Sequence, residues 1–164
     1  AGLVQESFQV ASLDGKARVE IAAGTRALTA QGGGLGWLTV RPQPVPQSPP
    51  GRVVIGEAYD LQPAGAQFGP PLKVILSYGQ SPLPRGVRVE DLTIARYAAD
   101  EGWAPLPTTR DGSTQTLTAL VDHLGLLAVT APAGSAGLGL TLYLAIGLGV
   151  LALVGGWWVL THPR

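Results

Sequence analysis

The stretch from Leu138 to Leu160 constrains this chain more than any other feature, because it is apolar and carries no charge. At a helical rise of about 1.5 Å per residue it would reach roughly 35 Å, enough to cross a hydrocarbon core of about 30 Å. It ends at Trp157 and Trp158, where the aromatic belt of a membrane interface would lie. The sequence therefore predicts one transmembrane helix over residues 138–160, with Trp157 and Trp158 as interfacial anchors.

Small residues follow one face of this predicted helix. Ala145, Gly149, Ala152 and Gly156 are separated by four, three and four positions, which places them on one side of an α-helix. Small residues let a second helix approach closely in lipid, where packing drives association. We therefore expect this face to pack against other transmembrane subunits, while the lipid bilayer surrounds the rest. The span contains no ionisable residue and so offers no proton or ion path.

Charge next to the span predicts its orientation. Arg164 follows it, whereas residues 131–137, the expected linker, carry no charge. The positive-inside rule then favours a cytoplasmic tail over residues 161–164 and an extracytoplasmic N-terminal domain. The chain contains no methionine, which suggests that a secretory signal peptide is removed before Ala1. The expected location is the cell membrane, with a single pass.

The composition of residues 1–130 suits one small domain with its own core. Basic and acidic residues number eleven each in the whole chain and are scattered singly, which argues against a nucleic-acid surface. Cysteine is absent, which excludes disulfides, thiolate metal sites and cysteine nucleophiles. Abundant alanine, glycine, leucine and proline, with arginine in excess of lysine, fit a GC-rich bacterial genome.

Short apolar segments separated by turn residues run through residues 1–130. Between Lys16 and Ile21, apolar residues alternate with charged ones, which is the period of a half-buried strand, and Leu13-Asp14-Gly15 before it favours a hairpin turn. The other predicted strands are 8–10, 38–41, 52–60, 72–78, 92–98, 103–106, 115–120 and 126–130. No amphipathic helix is evident before residue 135. The predicted fold class is all-β: an antiparallel β-sandwich, with Tyr59 and Trp103 in its core, followed by one C-terminal transmembrane α-helix.

Five prolines fall within residues 41–50, so this segment should be extended and kept out of central strands. We interpret residues 41–51 as a stiff crossover between two halves of one sandwich. The alternative is a proline-rich ligand for an aromatic-lined groove.

Several segments also occur in a recognisable order. They are 15–25, 38–40, 56–59, 63–65 with Phe68, 71–78, 92–97, 103–106 and 116–119 leading to His123. Together, over residues 13–130, they resemble the ZU-five β-sandwich domain of ankyrins, netrin receptors, tight-junction scaffolds and exported bacterial proteins. The resemblance implies an interaction and scaffolding module.

Some members of that family cleave themselves at a His-Phe-Ser tripeptide, to which His123, Leu124 and Gly125 correspond here. Because the attacking residue must supply a hydroxyl or thiol, and glycine has neither, we expect no self-cleavage. We expect His123 to have a structural role at the sandwich edge near the membrane.

The remaining polar residues form no recognisable catalytic set. His123 and His162 are the only histidines and lie on opposite sides of the predicted membrane, so they cannot share a metal. His162 is either a solvated tail residue or an axial ligand of a pigment or haem. We interpret the acidic pairs at 90–91 and 100–101 as solvated turns, since calcium needs several convergent oxygens. The glycines at 32–34 lack the helix and lysine of a phosphate loop. We expect no catalytic, cofactor-binding or metal-binding residue.

Three functional hypotheses follow. The first is a non-catalytic accessory or scaffold subunit of a larger membrane protein complex, bracing its extracytoplasmic face, with other transmembrane subunits and an extracytoplasmic protein as partners. The second is a stand-alone surface adhesion or ligand-binding module anchored by its C-terminal helix. The third, an enzyme or redox carrier, has no supporting residue set. The short linker 131–137 favours the first, because an adhesin usually has a longer stalk.

Overall fold

The computed structural model describes residues 2–45 and 51–133, which form two antiparallel β-sheets. The strands are β1 (Phe8–Ala11), β2 (Ala17–Ile21), β3 (Arg26–Leu28), β4 (Thr39–Gln43), β5 (Arg52–Gln62), β6 (Gln67–Ser77), β7 (Thr93–Ala98), β8 (Gly102–Pro105), β9 (Thr108–Asp111), β10 (Thr116–His123) and β11 (Leu126–Pro132). A short 3₁₀ turn, Val89–Asp91, precedes β7.

The first sheet has the strand order β1-β2-β6-β10-β9, and β3 also pairs with β6. The second sheet has the order β4-β5-β11-β7-β8. All of these pairs are antiparallel. The predicted all-β class with antiparallel sheets is therefore confirmed, and each predicted strand overlaps an observed one. The predicted transmembrane helix lies outside the described residues.

The two sheets share an apolar core. In β2, Ala17, Val19 and Ile21 are buried whereas Arg18 is exposed, because side chains of a strand point alternately to its two faces. From the second sheet, Leu61 and Leu127 are fully buried in the same cluster. The predicted sandwich follows from this shared core.

A second apolar cluster lies on the outer face of the second sheet. Three alanines stand side by side on adjacent strands, Ala58 on β5, Ala128 on β11 and Ala95 on β7, and all are fully buried. Trp103 belongs to this cluster, with 5% of its surface exposed. Tyr97, opposite Trp103 in the β7–β8 ladder, has its ring centroid 5.3 Å from the indole. Trp103 is therefore buried as predicted, but against the outer face, while Tyr59 is in the core between the sheets.

Two predicted boundaries differ from the observed ones. Ala131 and Pro132, assigned above to the linker, belong to β11, because they pair with Val53 and Arg52. The proline-rich segment joins β4 to β5, which are hydrogen-bonded neighbours in one sheet and not two halves of the sandwich. The first residues of this segment, 41–43, belong to β4. Strand β4 lies at the end of the second sheet, where proline is tolerated.

Candidate functional site

The residues predicted to act in the membrane lie outside the described part of the chain. This applies to the helix-packing face, the tryptophan anchors and the tail, that is, to Ala145, Gly149, Ala152, Gly156, Trp157, Trp158 and His162. Within residues 2–45 and 51–133, the structure contains no helix that is long and apolar enough to cross a bilayer.

The described chain leaves the sandwich at one definite end. Pro132 pairs with Arg52, and the N–H of Ala133 donates a hydrogen bond to the carbonyl of Gly51, at 2.9 Å. We call this the exit end. At the opposite end, the far end, the N–H of Leu61 donates to the carbonyl of Gly125. Strand β11 runs from the far end to the exit end over seven residues, roughly 20 Å.

Arg52 joins three strands of the second sheet at the exit end. Its guanidinium donates to the hydroxyl of Thr93 on β7, at 2.7 Å, and to that of Thr130 on β11, at 2.8 Å. Thr130 is fully buried, and burial lowers the pKa of Arg52. Among the described residues, Arg52 forms no ion pair. Arg52 therefore links β5 to β7 and β11 through hydrogen bonds to uncharged hydroxyl groups.

His123 lies at the far end, beside a carboxylate. Its Nδ1 is 2.6 Å from Oδ1 of Asp122 and 3.3 Å from Nη1 of Arg96. A carboxylate only accepts and a guanidinium only donates, so Nδ1 donates to Asp122 when it is protonated and accepts from Arg96 when it is not. Arg96 Nη1 also lies 3.8 Å from Oδ1 of Asp122. The hydrogen bond with His123, together with the positive charge of Arg96, holds the pKa of Asp122 below its ordinary value despite some desolvation. His123 ends β10 at the far end, whereas the last described residues of β11 lie at the exit end. The predicted span lies outside the described residues, so the expected position of His123 near the membrane stays a prediction.

The surface beside this pair is a depression at the far end. A depression of about 520 Å³ adjoins Asp122 and His123 and is otherwise lined by Gly65, Gln67 and Phe68. No serine or threonine is among these described lining residues, and glycine occupies the position after Leu124. Among these described lining residues, none carries the hydroxyl or thiol that self-cleavage would need.

The acidic pairs of the sequence lie in turns. Asp91 forms an ion pair with Arg88 at 3.0 Å, and the hydrogen bond from Arg88 lowers the pKa of Asp91. Asp111 similarly caps its own turn by accepting hydrogen bonds from Ser113 and Thr114. In the described part of the chain, no three histidine, aspartate or glutamate side chains come together in a way that could hold a metal ion.

An apolar groove of about 720 Å³ lies at the far end. We call it the far-end groove. Large apolar side chains border it although they are exposed to solvent: Leu3 is 59% exposed, Phe8 48% and Trp37 58%. Val10 and Phe68 contribute to its floor. Its volume is in the range of small-molecule and peptide sites.

Local chain geometry places Trp37 on the groove. Thr29 N–H donates to the carbonyl of Gly33, and Gly32, whose φ is +83°, allows the sharp turn between them. Leu35 N–H then donates to the carbonyl of Ala27, which fixes the glycine-rich segment against β3. Trp37 lies two residues before β4 and borders the groove.

The N-terminal segment forms the opposite wall. Val4 N–H donates to the carbonyl of Thr25, and Ala27 N–H donates to that of Gly2. Leu3 also forms an isolated antiparallel bridge with Arg26. These contacts hold Leu3 beside Phe8 although Leu3 lies outside the named strands.

Sequence reasoning did not identify this groove. Trp37 follows a glycine run and Phe8 lies in a short strand, so neither belongs to a periodic pattern of apolar residues. That they lie close together depends on tertiary structure. Their exposure is the informative signal, and it is visible only in the fold. Comparison of the chain with known protein families gives no match, and neither does comparison with curated proteins.

Proposed function

We propose that this chain is a non-catalytic, single-pass accessory or scaffold subunit of a larger membrane protein complex, and that its β-sandwich braces the extracytoplasmic face. One observation carries the proposal. The charge-free apolar stretch 138–160 begins five residues after Ala133, the last described residue, so only four residues separate them. The chain from residue 133 to residue 138 spans at most about 18 Å. A domain tethered so closely to a membrane is well placed to contact other proteins there.

The resemblance to ZU-five domains supports the same proposal. That family supplies interaction and scaffolding modules, and we propose the same general role here. The proposed orientation, with the sandwich outside and the tail in the cytoplasm, rests on Arg164 beyond the span.

Other transmembrane subunits are the proposed partners of the span. The face formed by Ala145, Gly149, Ala152 and Gly156 would contact a neighbouring helix. Trp157 and Trp158 would sit at the bilayer interface. No cofactor is part of the proposal.

The test is extraction in mild detergent followed by size separation. Co-migration with other membrane proteins supports the subunit role, and Gly149→Leu or Gly156→Leu should weaken it by preventing close helix approach. Gly147→Leu is the matched control, because residue 147 lies on the opposite side of the helix from the small-residue face. If all three variants co-migrate as well as the unaltered chain, the packing face is misassigned.

A second function is favoured by the far-end groove. A stand-alone surface adhesion or ligand-binding module would use an exposed apolar groove of about 720 Å³ directly. A chain that migrates alone after mild extraction would support this alternative and contradict the subunit role.

A further inference from the structure

Strand β1 differs from the other end strands of the two sheets. The end strands are β1 and β9 in the first sheet and β4 and β8 in the second. Edge strands usually carry prolines or charges that prevent another strand from pairing with them. Strand β4 contains Pro42, β8 ends in Pro105 and β9 carries Arg110 and Asp111. Strand β1, Phe-Gln-Val-Ala, has neither proline nor charge.

The outer edge of β1 presents main-chain groups to solvent. Ser12 N–H donates to the carbonyl of Ala17, at 2.9 Å, which makes these two residues a hydrogen-bonded position of the β1–β2 register. Such positions alternate in an antiparallel ladder, so the N–H and C=O of Gln9 and Ala11 point away from β2. Both residues are exposed, and within the described residues β1 pairs only with β2.

The far-end groove lies next to this edge. Phe8 and Val10 of β1 both line it, and Phe8 also borders a second depression of about 510 Å³. A strand added beside β1 would therefore place alternate side chains toward the groove while its main chain bonds to Gln9 and Ala11. Among the described lining residues of the groove, Glu6 is the one charged side chain. The occupant should accordingly be extended and apolar on its inward-facing positions.

We propose that β1 and the far-end groove receive an extended, uncharged segment of a different protein, which adds as a further strand to the first sheet. The choice of a different protein over a second copy rests on the proposed function. Strand β1 runs from the far end toward the exit end, because Phe8 pairs with Ile21 and Ala11 with Arg18. In the proposed function, the exit ends of two copies would face the same membrane and their β1 strands would run in the same direction, whereas two-fold self-pairing of a strand is antiparallel.

The test measures amide hydrogen exchange in the full chain, as extracted with its partners and as purified alone in the same detergent. Exchange at Gln9 and Ala11 should be at least about tenfold slower in the complex, which corresponds to about 1.4 kcal/mol. The reason is that each amide gains a hydrogen bond and loses contact with water. Amides of β9 serve as the internal reference, and their exchange should not change.

Two variants block the edge in different ways. Gln9→Pro removes an outward N–H without removing a bond to β2, and Gln9→Lys adds a protective charge at an exposed position. Both should abolish the slower exchange at Ala11. Thr109→Lys, the same kind of change on the exposed edge strand β9, is the control and should leave the exchange of β1 unchanged.

A defined probe makes the test independent of the natural complex. A capped peptide of alternating valine and threonine should protect Ala11 of the purified chain. Its N-methylated form should protect at least about tenfold less at equal concentration, since it lacks the bonding amides.

Fast exchange of β1 in a complex that still contains the other proteins would overturn the inference and leave the proposed function standing. A chain that migrates alone would overturn the proposed function, and the peptide then decides the inference. Protection of β1 in a dimer of this chain would overturn the choice of a different protein.

Discussion

At the scale of single residues, Tyr59 connects the two sheets through a hydrogen bond that phenylalanine could not make. Its hydroxyl donates to Oδ2 of Asp14, at 2.9 Å, in the turn between β1 and β2. Burial, together with this carboxylate, raises the pKa of Tyr59. For Asp14, desolvation raises the pKa, but hydrogen bonds from Ser12, from the N–H of Lys16 and from Tyr59 outweigh it, and the pKa is lowered.

Tyr59→Phe should therefore lower the free energy of unfolding by about 1 kcal/mol at neutral pH. A carboxylate with a depressed pKa stabilises the fold above its unfolded value of 3.8, and the contribution is lost as pH falls through the folded pKa. The difference between the two proteins should accordingly shrink below about pH 3.8. Denaturant unfolding of the full chain in detergent, followed by circular dichroism at several pH values, measures it.

Tyr78→Phe is the matched control, because the described residues offer the Tyr78 hydroxyl no hydrogen bond. It should change the free energy of unfolding by less than about 0.5 kcal/mol. Equal effects of the two substitutions would contradict the role given to the Tyr59–Asp14 bond.

Trp103→Ala should lower the free energy of unfolding by about 3 to 5 kcal/mol, because it empties the second apolar cluster over Ala58, Ala95 and Ala128. Trp37→Ala makes the same chemical change at a residue that is 58% exposed and should cost under about 1 kcal/mol. Thermal unfolding of both variants tests this contrast. A normal melting temperature for the Trp103 variant would show that its burial contributes little.

At the scale of elements, the strands that could be predicted were those with a visible period or turn. Strand β2 alternates apolar and charged residues, and Gly15, with φ of +70°, ends the hairpin turn that precedes it. Strands β3 and β9 were not predicted. The first has three residues and the second is wholly polar, so neither has enough apolar positions to show a period.

The second apolar cluster could not be predicted because the strand beneath it is apolar on both faces, whereas β3 and β9 have too few apolar residues. Strand β11 is buried on both faces, so its sequence, Leu-Leu-Ala-Val-Thr-Ala-Pro, shows no alternation that would separate the two faces. The proline-rich segment was misread because its prolines indicate an extended chain but do not indicate which strands it joins. Pairing of β4 with β5 is a long-range contact that no local pattern specifies.

The hydrogen bonds of Arg52 at the exit end predict how strongly it joins β5 to its neighbouring strands. Arg52→Ala should lower the free energy of unfolding by about 1 to 2 kcal/mol, because it removes the hydrogen bonds that join β5 to β7 and β11. Amide exchange should accelerate most at the end of β11, near Pro132. Arg18→Ala removes an exposed arginine whose contact with Glu20 is a surface ion pair at 3.5 Å, and it should cost under about 0.5 kcal/mol. Equal effects of both substitutions would argue against this link.

At the scale of the whole molecule, the apolar stretch of the sequence predicts a membrane-anchored role, but no sequence pattern predicts a docking surface. The far-end groove assembles residues from the N-terminal segment, β1, β2, the glycine-rich segment and β6. Only long-range pairing brings these together. The position of the exit end also depends on pairing, because it is set by Pro132 on β11 opposite Arg52 on β5.

The length of the link between the sandwich and the predicted span is the final testable feature. If the sandwich docks against a partner that the span also contacts, the two contacts reinforce each other through a high effective concentration. That concentration falls as a flexible tether lengthens.

Inserting a flexible glycine-serine segment of about twenty residues after Ala136 should therefore make co-migration with partners more sensitive to dilution. The same insertion between Gly112 and Ser113, in the exposed turn that joins β9 to β10, is the control and should have no such effect. Size separation over a dilution series measures the difference. If the longer link leaves the dilution dependence of co-migration unchanged, the sandwich contributes nothing to docking. The stand-alone module would then be the better account.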